Sequence, residues 1–325
     1  MSGRIIVASA IALVATAAGA QSAAPPFVLS PGVAMIAGSF ERGRQPDGNS
    51  VMFDAPDGLI VVDTGRHRWH HDRISAFAAT RDRPVAAIVN THWHLDHISG
   101  NIALTAEFPA ARVYATPAID GALTGFLADG ATRGREALAT GKLDPVTIEE
   151  IETDLATIAA GAKLRPDVVV ERSGAMTIAG RPLGLQVAAN AATEADLWLY
   201  DPATRIAVVG DLVTLPAPFL DTACPEGWRK ALGEVAATPF TTLVPGHGAP
   251  MTRAQFNRYR GAFDALLDCA ATAAAASLCA DRWAVAVAPL LGSDERAPRL
   301  ARSMTAYYIE EMLRADGGKR KYCPA

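Results

Sequence analysis

Short apolar runs recur along the chain, most of them closed by glycine, proline, aspartate or asparagine, and their spacing sets the expected elements. Residues 33–39, 51–55 and 59–63 read as strands, with Asp57-Gly58 as the hairpin turn between the last two. A helix is expected over 72–80, a buried strand over 85–90, a helix over 98–108 and a strand over 112–115. Residues 120–163 change character, rich in alanine, glycine, threonine and charge. Helical stretches at 133–140 and 147–160 make this a helical insertion over one face. Strands return at 168–171, 176–178, 183–188, 196–200 and 205–209, then a helix at 227–237 and a strand at 241–244. Beyond Thr252 the pattern is helical to the end, with breaks near Cys279, Pro289 and Pro298. Strands and helices alternate in both halves, which indicates an α/β (or α+β) class with layered sheets.

The N-terminus obeys different rules. Arg4 precedes an apolar run over residues 5–18, and Ala18-Gly19-Ala20 is a small-x-small cleavage pattern that would make Gln21 the mature start. The run is shorter than the roughly 20 residues of a spanning helix. Residues 1–20 are therefore expected to be a signal peptide, with a mature protein outside the cytoplasm, in a bacterial periplasm, and free of the membrane. Half of the chain is hydrophobic and the net charge is −4. The short Lys319-Arg320-Lys321 run is no nucleic-acid footprint, so the expected partner is a small-molecule substrate; oligomeric state is not legible. The four cysteines, Cys224, Cys269, Cys279 and Cys323, contain no Cys-x-x-Cys pair. In an oxidising compartment they read as disulfides. Cys269 with Cys279 is the expected first bridge, being close in sequence, which leaves Cys224 with Cys323.

Chemistry is concentrated in Thr91-His92-Trp93-His94-Leu95-Asp96-His97, which holds three of the seven histidines. His92 and His94 are two residues apart, so an extended segment points both to one side. Asp96 and His97 fall where the chain turns into a helix. Imidazole and carboxylate suit zinc or a similar divalent metal. Two ligand clusters side by side suit a metal pair about 3.5–4 Å apart. Other apolar strands also end in metal-competent residues: 59–62 in Asp63-Thr64-Gly65, 206–209 in Gly210-Asp211, and 241–244 in Pro245-Gly246-His247. Ligands gathered at one end of a sheet make a pocket, with glycine allowing close backbone approach.

His-x-His-x-Asp-His, then Gly-Asp, then a late Gly-His, resembles the metallo-β-lactamase superfamily over about residues 33–252. The segment from Asn90 to His97, followed by Ser99-Gly100-Asn101, is similar to the periplasmic zinc hydrolase branch associated with quinoprotein relay systems. The resemblance implies a four-layer αββα sandwich over residues 21–252, carrying the 120–163 insertion and followed by a helical extension over 253–325. It implies one or two zinc ions: His92 and His94 on the first, Asp96, His97 and His247 on the second, Asp211 bridging, and Asp63 supporting the site from behind. It also implies a hydrolase in which a zinc-bound hydroxide attacks an ester, thioester, lactone or amide, with Asp96 orienting it and carrying its proton.

The chain departs from that family at one position. Most members have Ala-His-Thr-x-Gly-Asp-Leu; here the segment is Ala191-Ala192-Thr193-Glu194-Ala195-Asp196-Leu197, which puts Ala192 where the third ligand of the first metal stands. Asn190 and His67 are the candidates to stand in for it, although His67, His70 and His71 read more simply as an exposed helix start. The departure leaves a non-catalytic metal- or partner-binding protein of the same fold as the alternative. A true β-lactamase is a more distant one, since Asp211 stands where cysteine or serine is common.

Overall fold

The two faces of each strand pack against different layers. A computed structural model of the chain describes residues 25–315 and residue 323; the expected signal peptide lies outside these described residues. The first sheet has seven strands in the order of the chain: β1 (Phe27–Ser30), β2 (Val33–Ile36), β3 (Ser50–Ala55), β4 (Gly58–Val62), β5 (Val85–Val89), β6 (Arg112–Ala115) and β7 (Val168–Val169). The second has six: β8 (Gly174–Ile178), β9 (Arg181–Ala189), β10 (Ala195–Asp201), β11 (Ile206–Val208), β12 (Thr242–Val244) and β13 (Met251–Thr252). Val51, Phe53, Ile60, Val62, Ala87 and Val89 of the first sheet meet Leu183, Leu185, Leu197, Leu199, Ile206 and Val208 of the second in one buried cluster. The side chains one residue out of phase, such as Met52, Leu59, Val61 and Ile88, face α1 (Arg68–Thr80) and α3 (Asn101–Glu107). This is the period-2 rule applied to a sheet covered on both faces.

Between β5 and α3 lies the short α2 (Leu95–Ile98); after β6 come α4 (Ile119–Thr124), α5 (Phe126–Ala139) and α6 (Pro145–Ala159). The insertion packs Ile119, Ala122, Leu127 and Leu164 onto Trp93, Leu95 and Ile98 of the metal-motif segment. On the far face of the second sheet, α7 (Pro225–Ala237), α8 (Arg253–Ala270), α9 (Ala276–Val287) and α10 (Ala297–Tyr308) bury Trp198, Trp228, Tyr259 and Trp283 in the largest cluster. The layers therefore run helix, sheet, sheet, helix, with a helical C-terminal extension. Strand Phe27–Ser30 and helix Ile119–Thr124 were not expected, α1 starts four residues before its predicted beginning, and α5 seven before. Arg68 and Trp69 carry no apolar period of their own, so tertiary packing sets that boundary.

Both expected disulfides are present. Cys269–Cys279 joins the end of α8 to α9, and Cys224–Cys323 ties the tail to the residue that caps α7. Among the described residues no helix is long and apolar enough to cross a membrane.

Candidate metal centre

The ends of β4, β5, β11 and β12 deliver the ligands to one edge of the sandwich. Asp63 follows β4 and adopts a left-handed backbone (φ 57°), which aspartate tolerates better than most residues. Its Oδ1 accepts from the Thr91 N–H (2.8 Å), and its Oδ2 accepts from the Thr91 hydroxyl (2.6 Å) and lies 2.8 Å from His97 Nδ1. His94 caps α2, and Asp96 and His97 occupy its first turn. Asp211 sits in the single turn Gly210–Leu212 after β11, and His247 follows β12.

Two donor groups result: His92, His94 and Asp211, and Asp96, His97 and His247. In the first, His92 Nε2 is 2.8 Å from His94 Nδ1, and Asp211 Oδ2 is 3.6 and 3.9 Å from these nitrogens. In the second, His247 Nε2 is 2.9 Å from Asp96 Oδ2 and 3.3 Å from His97 Nε2. Asp211 Oδ1 belongs there too, 3.3 Å from His97 Nε2 and 3.6 Å from His247 Nε2. Asp211 thus presents one oxygen to each group.

The hydrogen-bond chain behind the ligands fixes which nitrogen each histidine offers. The Thr91 hydroxyl spends its one proton on Asp63, so it must accept from His92 Nδ1–H (3.0 Å), leaving Nε2 as the donor atom. His97 gives its Nδ1–H to the same carboxylate and offers Nε2. The Thr222 hydroxyl donates to the Ala192 carbonyl (2.9 Å) and accepts from His94 Nε2–H (2.9 Å), so His94 offers Nδ1. Three imidazoles, each with one nitrogen tied back and the other facing its group, are the preorganisation a metal requires.

The electrostatics favour a cation. Burial alone would raise Asp211 and Asp96, but His97 and its neighbours outweigh it and hold both carboxyls far below the ordinary range. Burial alone would lower His97, yet Asp211, Asp96 and Asp63 push it well above its ordinary value, and His247 is raised the same way by Asp211 and Asp96. Asp211 Oδ1 is buried with no hydrogen-bond partner, an arrangement that is costly unless a positive charge answers it. The donor set, imidazole nitrogens and carboxylate oxygens, fits a divalent transition metal. Two glycines leave room for the donor side chains: a Cβ on Gly48 would overlap the His97 ring, and one on Gly246 would overlap Asp211 Oδ1.

All six expected ligands are therefore brought together, with Asp63 behind them. His67, one of the two stand-ins for a missing ligand, is not, which corrects the expectation for it. His67 is buried, not at an exposed helix start, and both ring nitrogens are taken, Nδ1 by Asp47 (2.9 Å) and Nε2 by Glu150 (3.0 Å). Asn190 (φ 53°) is held in a left-handed turn closed by its N–H to the Glu194 carbonyl (2.8 Å). His70 and His71 are buried as well, and desolvation brings His70 down to about 4. Ala192 packs into the apolar cluster under α7.

Other contributors had no marker in the sequence. Asn49 donates to the carbonyls of Pro245 and Gly248 (2.9 Å each), fastening the loop before β3 to the His247 loop. The metal groups form the floor of a cavity of about 600 Å³. Phe126, Leu127, Ile151 and Leu155 of the insertion, and Met304 and Tyr308 of the C-terminal extension, supply apolar wall.

The model of the metallo-beta-lactamase superfamily matches residues 43–247. A linear primary-alkylsulfatase from Pseudomonas sp. (strain ATCC 19151) is 29% identical over 223 residues, covering 62% of this chain and 41% of that protein. The chain thus spans about two-fifths of the length of that relative. Among solved structures, a metallo-beta-lactamase from Pontibacter korlensis superposes with a TM-score of 0.55 at 19% identity, covering 74% of this chain and 98% of its own. The inverting sec-alkylsulfatase Pisa1 from Pseudomonas sp. superposes with a TM-score of 0.57 at 18% identity, covering 93% of this chain and 52% of its own. The match to the family model spans every expected ligand from His92 to His247 and more than half of the chain, and this protein belongs to the metallo-beta-lactamase superfamily.

Proposed function

We propose that the chain is an exported, zinc-dependent hydrolase of esters whose substrates carry a sizeable apolar part. The observation that carries this reading is the pair of donor groups sharing Asp211 on the floor of an apolar-walled cavity. His92, His94 and Asp211 would hold one ion, and Asp96, His97, His247 and Asp211 the other. Bound there, a divalent metal supplies Lewis acidity and lowers the pKa of water towards neutrality. The chain's own residues do the rest. Asp63 and Thr222 hold the histidines in register, the cavity wall excludes water from the apolar part of the substrate, and Asp96 accepts a proton at Oδ1 and returns it to the leaving group. Export is supported by the N-terminal pattern and by both disulfides.

The related alkylsulfatases extend the ester class to sulfate esters, beside carboxylic esters, thioesters, lactones and amides. Ala192 favours a second reading: with only two histidines and a shared aspartate in the first group, the protein binds a metal or partner without turnover. Zinc-loaded protein is to be assayed on esters, lactones and alkyl sulfates of matched chain length, with His97→Ala beside it. Turnover abolished by His97→Ala supports the hydrolase; retention of zinc with no turnover on any substrate supports the second reading.

A further inference from the structure

Arg66 stands three residues beyond Asp63, in the wall of the cavity, with its side chain only 10% exposed. Its Nη1 is paired with Asp154 of α6. Nε has no hydrogen-bond partner, and Nη2 stops 4.0 Å from Asp96 Oδ1, beyond hydrogen-bond reach. A guanidinium carries five N–H donors in a rigid fork. Its Nε–Nη2 edge grips an oxyanion through two parallel bonds, and in Arg66 that edge has no acceptor among the described residues. Nε is buried without a partner, which is unfavourable, so an acceptor brought to this edge from the cavity, beside the candidate ligand Asp96, would satisfy it. Asp96 turns Oδ2 to His247 and leaves Oδ1 towards Arg66, so a group on the open edge lies beside the reacting centre.

We infer that Arg66 selects substrates bearing an anionic oxygen group next to the scissile bond, held on its Nε–Nη2 edge, with the apolar remainder against Phe126, Leu127, Ile151 and Leu155. This rests on the hydrolase reading above and narrows its substrate class to anionic amphiphiles. The competing structural role is that Arg66 only anchors α6 through Asp154. The two roles separate because Asp154→Asn removes the anchor and keeps the guanidinium.

The test is calorimetric binding to the zinc-loaded protein, using decanesulfonate and its neutral analogue decyl methyl sulfone as probes that are not hydrolysed. Wild type is expected to prefer the sulfonate. Arg66→Gln should weaken sulfonate binding roughly ten- to hundredfold, the loss of one bidentate charged contact, with little change for the sulfone. Arg66→Lys, which keeps the charge but not the fork, should fall between, and Asp154→Asn should keep the preference. A preference that survives Arg66→Gln, or is lost equally in Asp154→Asn, overturns the assignment. So does a wild type that binds neither probe or prefers the sulfone. A sulfonate preference dependent on Arg66, with no turnover of any ester, would instead sink the hydrolase reading and leave this assignment standing. Turnover of neutral esters without a sulfonate preference would do the reverse.

Discussion

Asp63 touches no expected metal position, yet the tautomers of two ligands depend on it. Its carboxylate accepts three hydrogen bonds, from the Thr91 N–H, the Thr91 hydroxyl and His97 Nδ1–H. Through Thr91 it also fixes His92. Asp63→Asn keeps the volume and suits the left-handed backbone at φ 57°, since asparagine adopts that region readily. An amide, however, replaces one acceptor oxygen with a donor. That NH₂ must face either the Thr91 N–H or the pair formed by the Thr91 hydroxyl and His97 Nδ1–H, so at least one charge-assisted bond becomes a donor–donor contact. Loss of such a supporting contact weakens metal binding about 10–100-fold, which is roughly 1.4–2.7 kcal/mol. The second donor group should suffer more, because His97 meets this side chain directly and His92 only through Thr91. Competition against a graded series of chelators, with zinc per chain measured after dialysis, reads the effect. Unchanged zinc affinity in a folded Asp63→Asn protein would refute the argument that this carboxylate orients the ligands.

Four further outcomes follow from the same geometry. Ala192→His should raise tightly bound zinc from nearer one per chain towards two, while crowding the buried cluster around Ala192 at a cost of about 1–3 kcal/mol in unfolding free energy; two tight zincs already in wild type would contradict the ligand deficit. Gly246→Ala alters no ligand but places a methyl on Asp211 Oδ1, so zinc content by atomic absorption should fall as far as in a ligand mutant. Burial disfavours charge on His67, but Asp47 and Glu150 outweigh it and raise its pKa above 6.5, so its stabilisation is full below that value and is lost as pH rises through the folded pKa. The melting-temperature gap between wild type and His67→Gln should therefore be widest in mild acid and close on the alkaline side; comparing the two proteins cancels the opposite contributions of His70 and His71. Cys323→Ser opens a bridge that spans 99 residues and should destabilise the oxidised protein by about 2–4 kcal/mol, visible as a lower melting temperature.

The sequence by itself determined whatever depends on neighbours along the chain. Short apolar runs closed by turn residues marked 51–55 and 59–63 as strands, while the face each side chain takes was decided by packing. His92, His94, Asp96 and His97 were legible as candidate ligands because six residues hold them all, and Asp211 and His247 because each follows an apolar strand; the fold brings all six into two donor groups. The pairing of four cysteines was legible because two of them are close in the chain. Contacts between distant segments were not. Glu150 reaches His67 across 83 residues and Thr222 reaches His94 across 128, and neither sits in a local pattern that marks it. The same holds for His67, whose position just after Asp63-Thr64-Gly65 suggests a ligand but whose two ring nitrogens are taken by Asp47 and Glu150. Arg66 has no marker in the sequence; only the docking of α6 supplied Asp154, and only the folded structure leaves its Nε buried without a partner. Candidate donors are a matter of side-chain chemistry and of position at strand ends, and both survive in the sequence. The tautomer, charge and reach of each ligand are set by partners that the folded topology alone brings within hydrogen-bond distance.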